Sequence, residues 1–148
     1  MFRSFMPLAL EEARAAAQRG EVPVGAVITR GTEVIARDGN RTRELLDPTA
    51  HAEMLCIKKA CTALGLERLV NCTIWVTLEP CAMCAQAIAH ARLDRLLFGA
   101  SDPKSGGVLR GARVFEHPQT HHRPEVFDGI DGAACAAVLT EFFQDRRV

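Results

Sequence analysis

Two short stretches carry residues whose types and spacing can do chemistry. In "TLEPCAMC", Cys81 and Cys84 stand three apart just after Pro80, at the head of a small-residue apolar run. Thiols at i and i+3 in the first turn of a helix project from one face and can chelate one ion, and the positive end of that helix favours the thiolates a metal requires. The same spacing describes a redox dithiol that follows a strand and opens a helix, so the pair alone leaves metal and thiol–disulfide chemistry equally open. In "DPTAHAE", His51 and Glu53 stand at the opening turn of a second helix, behind Asp47, Pro48 and Thr49.

Taken together, the two stretches decide more than either does alone. H-x-E combined with P-C-x-x-C is the pattern of the zinc nucleobase deaminases, a match to known chemistry. One neutral imidazole (His51) and two thiolates (Cys81, Cys84) offset the charge of Zn²⁺ and leave one tetrahedral position open for water. No second C-x-x-C or adjacent histidine completes a closed cage, so the fourth ligand is expected to be the reactant. Glu53 in isolation reads as a helix N-terminal acid favoured by the dipole. With His51 two residues before it and the cysteine pair, it reads as the group that takes the water proton and returns it to the substrate ring and leaving amine.

The elements that must position these residues follow from periodicity. Residues 2–19 carry apolar and alanine positions at helical spacing, with Gly20 as the terminating residue. Residues 22–29 and 34–40 form an expected hairpin with Gly31 in its turn and Pro23 near a strand start or edge. A helix over 50–64 is closed by Gly65. The run "CTIWVTL" at 72–78 is the most strand-like in the chain and feeds directly into a helix over 81–91. A buried strand at 95–99, a loop at 101–107, a weaker strand at 125–127 and a last amphipathic helix over about 133–146 complete the order. This alternation predicts a three-layer α/β/α sandwich, a sheet with helices on both faces.

The 148 residues, 48% of them apolar, fit one compact domain spanning 1–148. The first ten residues lack the pattern of a signal peptide, and no apolar run is long enough to span a bilayer, so a soluble cytoplasmic protein without a membrane partner is expected. In that compartment six cysteines stay largely reduced, and Cys56, Cys61, Cys72 and Cys135 read as small buried hydrophobes. His90 and His117 read as structural. Eighteen basic and eighteen acidic side chains cancel, so any contact with nucleic acid must be local and not driven by an overall positive field.

Over nearly its whole length the chain resembles the bacterial tRNA-specific adenosine deaminases. The resemblance rests on "EVPVGAVI", "GNRTRELLDPTAHAEM", "TIWVTLEPCAMCAQAIAHAR", "FGASDPKSGG" and "FFQDRR", in this order. It implies a cytidine deaminase-like fold with a mixed five-stranded sheet, one Zn²⁺ per subunit, and a homodimer that binds a tRNA anticodon stem-loop in a groove built from both subunits. The implied reaction is hydrolysis of an amidine C–N bond, converting the wobble adenosine to inosine and releasing ammonia. His51, Cys81 and Cys84 match the zinc ligands and Glu53 the proton shuttle. Asn40 matches the residue that hydrogen-bonds the target nucleoside, and Asp102 the loop acid that meets the RNA sugar. Without the resemblance, these last two read as a turn residue and a loop cap.

Val24, Ala26, Leu78 and Phe98 are candidates for the apolar slot, and equally good core residues. Glu79 and Pro80 are expected to shape the approach to the cysteine helix, because proline holds its predecessor extended. Lys104, Arg146 and Arg147 are expected to touch phosphate. Two departures stand out: His121 replaces an asparagine common at the start of the late "HHR" triplet, leaving His121 to donate in its place, and "KSGGVLRGARVF" replaces an Ala-rich stretch, predicting a reshaped groove rim. The metal pattern alone fits a free guanine, cytosine or nucleoside deaminase equally well. Rivals of other classes are a zinc-stabilised RNA-binding module without turnover and a thiol oxidoreductase.

Overall fold

A computed structural model describes residues 2–146. The chain runs α1 (Met6–Gln18), β1 (Gly25–Arg30), β2 (Glu33–Gly39), α2 (Ala52–Leu64), β3 (Thr73–Leu78), α3 (Ala82–His90), β4 (Arg95–Ala100), a short 3-10 helix (Val114–Glu116), β5 (Glu125–Phe127) and α4 (Gly132–Asp145). The five strands lie in the order β2-β1-β3-β4-β5. β1 pairs antiparallel with both β2 and β3, whereas β3, β4 and β5 are mutually parallel. The mixed sheet expected from the sequence is therefore present.

Side-chain alternation divides the core between the two faces of the sheet. Ala26 and Ile28 on β1, Ile74 and Val76 on β3, and Leu96 and Phe98 on β4 pack with Cys56 and Ala60 of α2 and Ile88 of α3. The intervening Val27, Trp75 and Leu97 face Met6, Ala9 and Leu10 of α1 and Cys135 of α4. Each fully buried large side chain contributes about 1.5–3 kcal/mol. Contact on the second face is close enough to exclude a methyl group: a Cβ on Gly25 would lie 2.0 Å from the Ala9 carbonyl oxygen. α1 therefore sits nearly on the β1 backbone.

Several ends differ from expectation for local reasons. α1 begins at Met6 instead of residue 2, because Pro7 sits in its first turn, where a missing N–H costs nothing. Phe2 remains outside the helix, its ring 5.9 Å from that of Trp75. α2 and α3 start at Ala52 and Ala82, one or two residues later than periodicity indicates. His51 and Cys81 have extended backbones (ψ 154° and 174°) and are the N-caps. Their carbonyls still accept the first helical bonds, from Leu55 and Ala85. The 3-10 turn at Val114–Glu116 was not expected. Val114 and Phe115 bury themselves in the α2/α3 layer there, following Arg113 at φ 44°.

Candidate active site

The parallel β3-α3-β4 unit places the end of β3 where α/β sheets commonly bind ligands, outside the carboxyl ends of their strands. Leu78 ends β3, Glu79 and Pro80 turn the chain, and Cys81 caps α3. α2 arrives from the other side with His51 as its cap, so two helix N-termini meet at one point. His51 Nδ1 lies 3.6 Å from Cys81 Sγ and 3.5 Å from Cys84 Sγ. All three ligand atoms fall within 4.8 Å of one another. A tetrahedral ion at about 2.3 Å from sulfur and about 2.0–2.1 Å from nitrogen holds nitrogen and sulfur about 3.5 Å apart, so the two imidazole–sulfur distances fit such an ion.

The three donors are electrostatically linked, and of them only Cys81 is held as a thiolate by its neighbours. A hydrogen bond from the Cys84 thiol holds Cys81 down to about 4, against the cost of burial. Donating that bond, together with burial, pushes Cys84 up. The neighbouring Cys81 sulfur raises His51. Glu53, on the first turn of α2, is 3% exposed, and burial pushes its carboxyl up to about 7 against the opposing field of His51.

A pocket of about 230 Å³ opens over this cluster, and His51, Glu53 and Cys81 reach its surface. Val24 and Leu78 form apolar wall, while Ala26 and Phe98, the other two candidates, lie in the α2/α3 core and do not line it. A larger groove of about 560 Å³, walled by Phe5, Trp75 and Leu97, lies on the opposite face near the other ends of β3 and β4, away from the cysteines.

Asn40 both builds the wall and faces the pocket. Its Oδ1 accepts from the Ala52 N–H (2.8 Å) and its Nδ2 donates to the Val22 carbonyl (3.1 Å), pinning the start of α2 to the strand β1 approach. One amide hydrogen and one oxygen lone pair stay available to a ligand. Asp102 lines the opposite lip, its Oδ1 accepting from the Lys104 and Ser105 N–H groups. Lys104 is exposed on that same turn. His121 does not reach this pocket: it borders a small cleft with Gln86, His90 and Arg92 near the far end of α3. Arg146 stacks over the Phe142 ring at 3.6 Å, in a groove between α4 and α1. Arg147 lies outside the described residues.

Sequence reasoning treated Glu79 only as shaping the turn and passed over Glu21. Both are buried carboxylates that accept backbone N–H groups from a lip of the pocket. Glu21 takes Arg43 N (3.1 Å) and Glu44 N (2.8 Å), and Glu79 takes Asp102 N, Val108 N, Leu109 N and Arg110 N. Burial raises Glu79, but these bonds hold its carboxyl below the usual range. The one sequence signal is at Glu79, a lone acid inside an otherwise apolar run; Glu21 follows Gln18, Arg19 and Gly20 and carries none. Of the other cysteines, Cys56, Cys72 and Cys135 are buried, whereas Cys61 is half-buried.

A family model for MafB19-like deaminases matches residues 2–147. The tRNA-specific adenosine deaminase of Agrobacterium fabrum is 54% identical over 144 residues, covering 97% of this chain and 95% of that one. The corresponding protein of Bacillus subtilis is 41% identical over 143 residues, covering 97% and 89%. A solved structure from biochemical and structural studies of A-to-I editing by tRNA:A34 deaminases at the wobble position superposes with a TM-score of 0.90 at 56% identity, over 91% of this chain and 98% of that one. Fold and matches together define the class, a deaminase on the cytidine deaminase-like sandwich. Within that class the chain belongs to the bacterial tRNA-specific adenosine deaminases.

Proposed function

We propose that the protein hydrolyses the wobble adenosine of a tRNA anticodon to inosine, using one zinc ion held by His51, Cys81 and Cys84. The zinc chemistry is supported by the pair of imidazole–sulfur distances, 3.6 and 3.5 Å, beside a buried carboxyl that lines the pocket, and the tRNA substrate by the likeness to tRNA-specific adenosine deaminases. Zinc bound there acidifies water and supplies the nucleophile. Glu53 accepts one water proton and delivers it to N1 of the purine, where inosine keeps it, and then passes the second proton, from the oxygen added at C6, to the departing amine. Oxygen becomes bonded to C6, the C6–N6 bond breaks, and ammonia leaves.

Asn40 reads the extruded nucleoside through its remaining amide N–H and lone pair, and Asp102 accepts from the sugar beside it. Val24 and Leu78 exclude water from the faces of the base. Extrusion fits the geometry, since a 230 Å³ pocket with its reactive atoms at the bottom admits a base and not a stacked strand. Lys104, His121, Arg146 and Arg147 meet the RNA beyond the target nucleotide. A single chain separates His121 and Arg146 from the pocket, which a homodimer with a shared groove accommodates. The cytoplasm is the place of action, as the substrate requires.

The test offers an anticodon stem-loop, adenosine, guanine and cytosine side by side and measures ammonia release. The reading predicts turnover of the stem-loop, with inosine at the wobble position. Turnover confined to free bases or nucleosides assigns the chain to the small-molecule deaminases instead.

A further inference from the structure

The lip that carries Asp102 has no regular partner for its backbone. Residues 101–110 curl around one point, where the N–H groups of Asp102, Val108, Leu109 and Arg110 converge instead of pairing in the sheet. Glu79 occupies that point. It is 2% exposed; its Oε1 accepts from Asp102 N at 3.0 Å and Ser101 Oγ at 3.4 Å, and its Oε2 accepts from Val108 N, Leu109 N and Arg110 N at 3.2, 2.9 and 2.9 Å. A carboxylate offers about four acceptor sites and no donor, which suits a ring of five donors; an amide of the same shape turns one side into a donor. The loop closes tightly on it: a Cβ on Gly106 would stand 2.6 Å from Glu79 Cδ and 2.6 Å from the Asp102 carbonyl oxygen.

We propose that Glu79 is a positioning residue for the nucleotide, acting through Asp102: its carboxylate gathers the loop 101–110 and sets Asp102 over the pocket, with no contact to the reacting atoms. This rests on the reading of Asp102 as a substrate contact. Because Glu79 begins the turn into Cys81, the same side chain ties the register of the substrate lip to the helix that bears the cysteines.

Glu79→Gln, measured on the zinc-loaded protein with an anticodon stem-loop, raises KM about tenfold while kcat stays within about threefold, the pattern of a lost contact made equally in ground and transition states. Asp102→Asn does the same, and the double variant shows no further rise, because the two changes break one interaction. Amide hydrogen exchange accelerates at residues 102 and 108–110 in Glu79→Gln and not in α2 or α3, with zinc content unchanged. Gly106→Ala pushes the loop off an intact Glu79 and gives the same KM and exchange changes, which keeps the test open if Glu79→Gln fails to fold. Additive KM effects, unchanged exchange at 102 and 108–110, or zinc loss together with the KM rise overturn the proposal. If the wild type leaves the stem-loop untouched, the functional reading fails by itself, and the exchange measurement still decides whether Glu79 gathers the loop.

Discussion

At the scale of the residue, metal-ligand spacing is the reason the candidate site was legible. Few side chains supply soft or borderline ligands, and among the described residues His51, Cys81 and Cys84 are the group whose ligand atoms come together. Glu53 was legible only in their company, because an acid near a helix start has an ordinary electrostatic reason to be there. Glu79 and Glu21 were largely illegible: their partners are backbone N–H groups about twenty to thirty residues away, and no spacing rule links a carboxylate to the amides of a distant loop. Assigning proton transfer to Glu53 gives a sharp expectation. Glu53→Ala retains one zinc per chain and loses turnover by about 10²–10⁴-fold, as elemental analysis and ammonia release together will read. Unchanged turnover would return the chain to a binding module without catalysis.

At the scale of the element, periodicity found the four α-helices and five strands of the described residues but missed the 3-10 turn at Val114–Glu116 and misplaced the ends that matter to the site. His51 and Cys81 are caps with extended backbones, and a cap is decided by one ψ angle that composition does not report. The connection from β2 to α2 is held by an ion cluster with a buried carboxylate at its centre and partly exposed cations around it. Asp38, 2% exposed, accepts from Lys59 Nζ at 2.8 Å, Arg41 Nε at 2.9 Å and the Gly39 N–H. Burial raises its carboxyl, but these donors more than compensate and hold it below its ordinary value. A depressed carboxyl stabilises the fold fully above its unfolded pKa and loses that contribution as pH falls through the folded value. Asp38→Asn therefore costs about 1–3 kcal/mol at neutral pH, and the difference from wild type begins to narrow as pH falls below about 4. Urea unfolding at neutral pH and near pH 3 checks this; a gap constant with pH would show that the ionised form of Asp38 is not what holds the connection.

At the scale of the whole molecule, a sheet with helices on both faces leaves the two helix N-termini at one end as a single site, while the net charge of zero rules out a general positive field. The sandwich itself was legible from the order of elements, since a strand-helix-strand unit flanked by further helices has few solutions. The course of 101–124 was not, because its path follows from Glu79 and from the burial of Val114 and Phe115. With charge balanced overall, affinity for RNA depends on a few local cations. Replacing Lys104, Arg146 and Arg147 together with alanine is expected to lower the magnitude of the salt dependence of stem-loop binding by about 2, at about 0.7 per phosphate contact. An unchanged slope would mean that none of the three meets phosphate.

The proposed hydrolysis depends on a metal that His51, Cys81 and Cys84 would hold. The direct test is to strip the purified protein with a strong chelator, titrate zinc back, and follow zinc per chain and inosine formation in the anticodon arm in the same samples. The account predicts that activity vanishes with the metal and returns in proportion to it, saturating at one zinc per chain. Full turnover from metal-free protein would contradict it.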